Sequence, residues 1–276
     1  MTELRLETLL LPTAELGPEN PFPALATPPD PHRQLQFSPE IPLADREFVG
    51  YGMVAGCLPY RLQDGYSRER RSRPLRVAVL ENEFLRAVFL LEYGGRLYSL
   101  RHRPSGRELL AVNPVMQPAN LAIRNAWFSG GVEWNVGLLG HCPFTCAPLF
   151  AARLTAPDGS PVLRLYEYER IRGVPFQVDI MLPPGSPVLL VRGSIRNPHA
   201  TTVPAYWWSN MAVPETPGTR VLAPADHAYQ FGYNGGLRRA SIPIHEGVDV
   251  SYTTHLQAAM DFFFRLPTGQ RPWVTA

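Results

Sequence analysis

The sequence has no lysine, only three cysteines and no long apolar run, and each shortage excludes a class of protein. Without lysine, the chain has neither a Schiff-base amine nor the lysine of a Walker phosphate loop. All 26 basic residues are arginines, and against 24 acidic residues they give a net charge of only +2, a smaller excess than nucleic-acid binders usually carry. No stretch of about 18 apolar residues is present for a membrane-spanning helix. We therefore expect no nucleic-acid or membrane partner.

The N-terminus also lacks the pattern of a secretory signal peptide, because acids occur within residues 1–7 and the apolar run that follows is short. An odd number of cysteines without an export signal argues against a disulfide framework. We expect a cytoplasmic protein with reduced thiols. His141, Cys142 and Cys146 are zinc-ligand types, but a structural zinc site needs four ligands and Cys57 is isolated in sequence, so we interpret the cysteines as buried thiols and expect no metal or cofactor.

Chain-breaking residues are abundant, with 30 prolines and 22 glycines among 276 residues. So many breaks exclude a helical bundle and favour short strands joined by turns. The hydrophobic share of 45% is enough for a sizeable core, and apolar residues alternate between the turns. The sequence therefore predicts an all-β protein with broad antiparallel sheets. The predicted strands are residues 1–11, 76–82, 84–90, 96–103, 108–110, 149–156, 162–172, 174–182, 188–196, 206–211 and 261–266, and residues 60–66 are predicted as a strand and turn.

A proline-rich segment, residues 12–42, follows the first predicted strand. It holds nine prolines and few periodic apolar positions, so we expect an extended surface arm that does not pair in a sheet. The sequence thus predicts an N-terminal strand and arm over residues 1–50 and a β domain over residues 51–276. We interpret the arginine-rich run from Arg68 to Arg76 as a solvated face rather than an anion site.

The densest group of chemically unusual residues lies between Trp127 and His141. It contains two tryptophans, a carboxylate, an amide, an imidazole and four glycines, which let the backbone approach a ligand closely. On a strand, Glu133 and Asn135 face one way and Trp134 the other. A carboxylate beside an amide can bind vicinal hydroxyls, and an indole can cover the apolar face of a pyranose. The alternative is structural: Glu133 pairs with an arginine, and the tryptophans belong to the core.

A second group lies on a predicted strand that carries Trp208 and Asn210. Adjacent indoles point to opposite faces of such a strand, so one can pack in the core while Trp208, with Asn210 two residues on, faces a cleft. Asp226 and His227 follow in a loop, and each of these residues alone is more often structural than functional. The candidate catalytic residues are Glu133, His141 and Asp226, and the candidate substrate-binding residues are Arg96, Trp127, Trp134, Asn135, Trp208, Asn210 and His227.

Three segments near the start of the predicted β domain carry a resemblance to a known fold group. Residues 80–86 lead to the Tyr-Gly-Gly-Arg turn of residues 93–100 and then to the Gly-Arg-Glu-Leu hairpin of residues 106–110. Together they resemble the strand pair that opens galactose-mutarotase-like β-supersandwiches, a group that includes aldose epimerases. The resemblance implies a β-supersandwich and a carbohydrate ligand.

A more specific resemblance rests on residues 113–120, 127–141 and 206–210. These segments resemble a bacterial domain family of unknown function that often precedes tetratricopeptide repeats. The resemblance covers roughly residues 50–276, and residues 127–141 are its most specific part. It implies that a tetratricopeptide-repeat region accompanies this domain in a longer protein.

The first of three competing functions is a carbohydrate-active enzyme, either a glycoside hydrolase or a sugar epimerase-like enzyme. In this hypothesis Glu133 is the acid or base and His141 its partner. Enclosure by Trp127 and Trp134 is expected to raise the pKa of Glu133 and suit it to proton donation. A glycosidase generally needs a second carboxyl group, for which Asp226 is the candidate.

The second function is a non-catalytic carbohydrate-binding module, or an inactive N-terminal fragment of a larger repeat-containing protein. The resemblance to aldose epimerases implies a catalytic glutamate near the C-terminal end of the domain. It also implies further strands after residue 276. A domain without that glutamate would bind sugar without turnover. An uncovered edge at residues 262–264 would favour a homo-oligomer. The third function is an interaction scaffold, whose run from Arg68 to Arg76 docks an acidic partner.

Overall fold

The structure is a computed structural model, and it confirms an all-β protein. Within the described part of the chain, the helices are one short turn of α-helix, α1 (Leu43–Arg46), and one turn of 3-10 helix (Thr253–His255). In that part, no helix has the length and apolar character that a membrane crossing requires. The described residues are 1–23, 36–47, 49–52, 54, 56–137, 140–233 and 236–276.

Most strands are short, and two of them are 12 residues long. They are β1 (Glu3–Ala14), β2 (Gln36–Phe37), β3 (Arg70–Glu81), β4 (Leu85–Leu90), β5 (Arg96–His102), β6 (Arg107–Glu108), β7 (Ala119–Ala122), β8 (Asn125–Trp127), β9 (Val132–Val136), β10 (Phe150–Thr155), β11 (Pro161–Glu169), β12 (Val174–Met181), β13 (Leu190–Ile195), β14 (Trp207–Met211), β15 (His227–Phe231), β16 (Gly236–Ser241), β17 (Ile244–His245), β18 (Val248–Asp249) and β19 (Asp261–Arg265).

The chain divides into two compact units. Unit 1 comprises residues 1–27 and 52–213, and unit 2 comprises residues 28–51 and 214–276. The predicted division into an N-terminal strand and arm, residues 1–50, and a β domain, residues 51–276, stays a prediction.

Unit 1 contains two large antiparallel sheets. The first has the strand order β1-β3-β4-β5-β9-β14, with β6 paired to β5, and the second is the meander β10-β11-β12-β13. Side chains from both sheets form one core, to which the first contributes Phe89 and Leu97 and the second Leu165 and Val178. Each such side chain stabilises the fold by about 1.5–3 kcal/mol when it is fully buried.

The opposite face of the first sheet is also covered. Val77, Val79 and Leu90 of its strands pack there with Met116 and Phe128 from the segment that precedes β9. Alternate residues of a strand point to opposite faces, so the strands of this sheet carry apolar side chains on both. The candidate site lies on this side of the sheet, because the odd-numbered residues of β9 point toward it.

Two sequence predictions fail in unit 1. Residues 60–66 form no strand, and only Gln63 makes an isolated bridge, to Asn125. The predicted arm is wrong at its start, because β1 continues to Ala14 and pairs with β3 over its whole length. Pro12 is tolerated there since β1 lies at the edge of the sheet, where a missing N–H donor breaks no inner ladder.

Unit 2 is built on a smaller sheet with the order β19-β15-β16-β2. The last strand predicted from the sequence is confirmed as β19, and the short β2 pairs in parallel with β16, so the arm prediction is also wrong at Gln36 and Phe37. Ile41 is buried against Tyr229 and Phe231 in a small core. Ile41 and Phe37, which packs against this core, therefore contribute to packing in unit 2.

Candidate functional site

Glu133 is the centre of a buried polar cluster in unit 1. It lies in the middle of β9 and is only 2% exposed. Its Oε2 accepts hydrogen bonds from Arg96 Nη2 at 2.8 Å and Trp127 Nε1 at 2.7 Å. Its Oε1 accepts from Asn135 Nδ2 at 3.0 Å and from His141 Nδ1. Four donors thus satisfy both carboxylate oxygens.

The register of β9 and β14 explains which side chains share this face. Glu133 lies opposite Asn210, and Asn135 lies opposite Trp208. Residues directly opposite each other on antiparallel strands point to the same face. The intervening Trp134 points into the core between the two sheets, where its Nε1 donates to Gly95 O at 3.1 Å. The predicted alternation of these residues is confirmed, and Trp134 lies away from the cluster.

Gly131 allows β9 to approach β5 at the start of this strand. Its φ is +65°, and a Cβ atom at this position would lie 2.2 Å from Leu97 O. A larger residue would both strain the backbone and push β9 away from β5. The glycines noted in the sequence are therefore partly a packing requirement of the sheet.

His141 is held between two indoles. Its ring centroid lies 5.1 Å from Trp127 and 5.2 Å from Trp208. The hydrogen bond from Nδ1 to the Glu133 carboxylate fixes the tautomer and the ring orientation. Nε2 has no partner among the residues that the structure describes, and 14% of the side chain is exposed. The imidazole therefore presents one free nitrogen beside two aromatic faces.

Arg96 supplies the charge that compensates Glu133. Both side chains are about 3% exposed, and Arg96 Nη1 also donates to Gly130 O at 2.7 Å. The guanidinium carbon lies 4.1 Å from the centroid of Phe128. The interpretation that Glu133 pairs with an arginine is confirmed. Both Nη atoms of Arg96 already bond within the cluster. A substrate-binding role for Arg96 stays a prediction.

The pKa of Glu133 shifts in the direction opposite to the sequence expectation. Burial alone raises the pKa, but the hydrogen bond from His141 and the positive charge of Arg96 outweigh burial, and the pKa lies below its usual value. The expectation of a raised pKa was wrong because it considered only the enclosing indoles. Glu133 is therefore ionised near neutral pH and unsuited to donate a proton.

Asn135 joins the carboxylate to the turn that carries His141. Its Nδ2 donates to Glu133, and its Oδ1 accepts from Cys142 N at 2.7 Å. The side chain is fully buried. Both polar atoms of the Asn135 side chain therefore bond within the cluster. The predicted contact of Asn135 with substrate stays a prediction.

Two supporting residues were not predicted from the sequence. Phe128 lies beneath Arg96, and Glu169 is fully buried at the end of β11, where its carboxylate accepts from Arg172 N at 2.7 Å. A Cβ atom at Gly137 would lie 2.6 Å from Glu169 Cγ. The close approach of Gly137 to Glu169 brings the end of β9 next to the end of β11. The signal in the sequence was Gly137 itself, a glycine directly after a strand.

The remaining candidates divide between the two units. In unit 1, Trp208 Nε1 donates to Gly140 O at 3.2 Å, and the side-chain amide of the half-buried Asn210 has no hydrogen-bond partner among the described residues. In unit 2, His227 Nδ1 donates to Asp226 Oδ1 at 2.6 Å, and this bond lowers the pKa of Asp226. The Asp226 side chain is 81% exposed. Its catalytic role, like the binding role of His227, stays a prediction.

The three cysteines are buried free thiols, which confirms that interpretation. Burial raises the pKa of both Cys142 and Cys146 to about 12. Thiols that remain protonated are poor nucleophiles and poor metal ligands. Arginines of the run from Arg68 to Arg76 are exposed at the start of β3, as expected of a solvated face.

Comparison with known proteins supports the family resemblance. The profile of a family described as "Domain of unknown function (DUF5107)" matches residues 53–261. A crystal structure of a TPR-domain containing protein from Parabacteroides distasonis ATCC 8503 is similar, with a TM-score of 0.70 and 21% sequence identity. The similarity covers 90% of this chain and 38% of that chain, so this chain spans well under half the length of that protein. At this identity the likeness shows the fold alone.

Proposed function

From the premise that this chain belongs to the DUF5107 family of domains of unknown function, we propose that unit 1 binds a carbohydrate beside His141. One observation carries the proposal: an imidazole with a free Nε2 lies between the half-buried indoles of Trp127 and Trp208. Indole faces bind the apolar face of a pyranose, and a free ring nitrogen binds a hydroxyl. The unpartnered amide of Asn210 on the same strand face adds a second hydroxyl ligand.

In this proposal His141 is the acid–base residue and Glu133 is a positioning residue. The carboxylate fixes the Nδ1–H tautomer, so Nε2 is the nitrogen that accepts or donates a proton. Arg96 keeps the carboxylate ionised, and Asn135 holds the turn that carries the imidazole. These buried polar groups thus hold the His141 ring so that its Nε2 faces the ligand.

The arrangement favours an epimerase-like proton transfer on a free sugar over glycoside hydrolysis. Glycosidases generally use two carboxyl groups roughly 5–9.5 Å apart, one of which must carry a proton at working pH. Glu133 has a lowered pKa and four hydrogen-bond donors around its oxygens, which makes it a poor proton donor. A histidine is suited to moving a proton to or from a sugar oxygen near neutral pH.

A non-catalytic module is the second candidate. Among the described residues, Glu133 is the one acid or base that bonds to His141, so no second proton-transfer group is yet paired with it. The galactose-mutarotase-like supersandwich remains part of the first candidate, supported by the two antiparallel sheets of unit 1. A neighbouring tetratricopeptide region and a cytoplasmic location also belong to the proposal, the former supported by the TPR-containing neighbour.

The test combines calorimetry on a panel of mono- and oligosaccharides with NMR measurement of anomer interconversion. We expect one sugar class to bind, and Trp208→Ala to weaken that binding by about tenfold, the scale of a lost ring contact. The matched control is Trp273→Ala, which removes a half-exposed indole of unit 2. Circular dichroism of each variant checks folding.

Turnover by the wild type separates the two candidates, and His141→Gln tests whether His141 is the group that transfers the proton. If the protein is an enzyme, wild type accelerates interconversion and His141→Gln loses this activity while it still binds sugar. If it is a module, wild type binds without turnover. Absence of binding to every sugar, or equal effects of Trp208→Ala and Trp273→Ala, would contradict the proposed site.

A further inference from the structure

The outer face of the second sheet of unit 1 carries an ordered row of side chains that the site around His141 does not use. The cross-strand register of β10, β11, β12 and β13 places one residue of each strand in line. The row consists of Phe150, Tyr166, Gln177 and Ser194. The next row consists of Ala152, Arg164, Asp179 and Arg192.

One end of this face is aromatic. Phe150, Tyr166 and Tyr168 are 59%, 41% and 46% exposed. The rings of Phe150 and Tyr166 are stacked, with centroids 5.4 Å apart and planes inclined by 23°. Large rings exposed together on a sheet are uncommon on a surface that contacts only water. A rigid sheet fixes them before any ligand arrives.

The other end is polar and carries a net positive charge. Arg164 binds Asp179 through two hydrogen bonds of 2.6 and 2.7 Å, and Gln177 donates to Asp179 at 3.0 Å. The negative charge of Asp179 is thereby neutralised within the face. Arg192 is exposed and lies opposite Asp179, and its positive charge also contributes to lowering the pKa of that carboxyl. The face therefore holds two arginines against one carboxylate, and its net charge is positive.

We propose that this face binds an acidic carbohydrate chain, in which sugar rings stack on Tyr166 and its neighbours and a carboxylate binds Arg192. Four strands about 4.8 Å apart give the row a length of about 14 Å, enough for a short oligosaccharide. Gln177 and Ser194 supply hydrogen bonds to hydroxyls between the aromatic end and the cation. The proposal goes beyond the site around His141, which lies on the other sheet.

A glycan fits this face better than a protein partner. The core of a protein interface is depleted of charged residues, whereas the centre of this face holds the Arg164–Asp179 pair and Gln177. A peptide that adds a strand would use the backbone edge of β13, not the side chains of the face. An anionic group on the ligand complements the exposed guanidinium of Arg192.

Calorimetry at low salt with a galacturonic acid hexamer tests the proposal, with cellohexaose as the neutral comparison. We expect the acidic hexamer to bind more tightly, and Tyr166→Thr and Arg192→Gln each to weaken it by about tenfold. Added salt should weaken binding to the wild type but have less effect on Arg192→Gln. Matched controls are Phe22→Ala and Arg71→Gln, which remove exposed side chains elsewhere in unit 1.

Tyr168→Thr provides a second aromatic variant if Tyr166→Thr fails to fold. His141→Gln should leave binding of the acidic hexamer unchanged. Loss of binding in His141→Gln would overturn this inference and place the acidic sugar at the His141 site. Equal affinity for the two hexamers, no binding of either, or a protein dimer disrupted by Tyr166→Thr would also overturn it.

Discussion

Replacing Glu133 by glutamine should strongly destabilise the protein. Glutamine keeps the size of the side chain but removes the charge, and its NH2 group replaces one acceptor oxygen. An amide nitrogen at the place of Oε2 leaves the donors of Arg96 and Trp127 without an acceptor. At the place of Oε1 it opposes the Nδ2 donor of Asn135. The positive charge of Arg96 is then buried without compensation.

The expected cost is about 3–5 kcal/mol in the free energy of unfolding, the usual effect of removing one partner of a buried ion pair. A domain is typically stable by only about 5–15 kcal/mol, so this is a large fraction. The matched control is Glu7→Gln. Glu7 binds Arg5 and Arg86 at 2.7 Å, but its side chain is 32% exposed, and such surface pairs contribute about 0–1 kcal/mol.

Urea denaturation followed by circular dichroism measures both variants and the wild type. A double variant, Glu133→Gln with Arg96→Met, should lose less stability than the sum of the two single losses, because the unpaired charge is gone. A cost below about 1 kcal/mol for Glu133→Gln, as for Glu7→Gln, would refute this account of the buried pair.

Three further predictions concern Glu133, Gly137 and Cys142. Because the pKa of Glu133 is lowered from 4.5, its stabilising effect is complete above that value and is lost as pH falls through the lowered pKa. Acid unfolding followed by circular dichroism should therefore be shallower in Glu133→Gln than in wild type. Gly137→Ala should lower the melting temperature more than Gly159→Ala, since both glycines have φ near +84° but only Gly137 faces Glu169; equal shifts would exclude the clash. Cys142 should react with iodoacetamide at pH 8 only after unfolding, because burial keeps its thiol protonated, and rapid labelling of folded protein would contradict this.

The fold was predictable where local pattern decides it. Strands such as β11 and β12 alternate apolar and polar residues and end at turn residues, so their bounds follow from the sequence within a few positions. The opposite orientation of Glu133 and Trp134 was predictable for the same reason, since side chains alternate along any strand.

Long-range pairing was not predictable. Arg96 and Glu133 are 37 residues apart, and only the pairing of β5 with β9 brings them together. The direction of the Glu133 pKa depends on that contact, so an argument from neighbouring indoles gave the wrong sign. The parallel pairing of β2 with β16 joins segments about 200 residues apart, and no local periodicity indicates it.

The central claim is that His141 presents Nε2 to a sugar while Glu133 holds Nδ1. Long-range ¹H–¹⁵N NMR of the histidine rings measures both nitrogens directly in the intact chain. In the free protein we predict a protonated Nδ1 on His141, and on titration with a sugar that binds, a shift centred on Nε2 of His141. A His141 tautomer protonated at Nε2, or saturation with sugar without any change at Nε2, would contradict the claim.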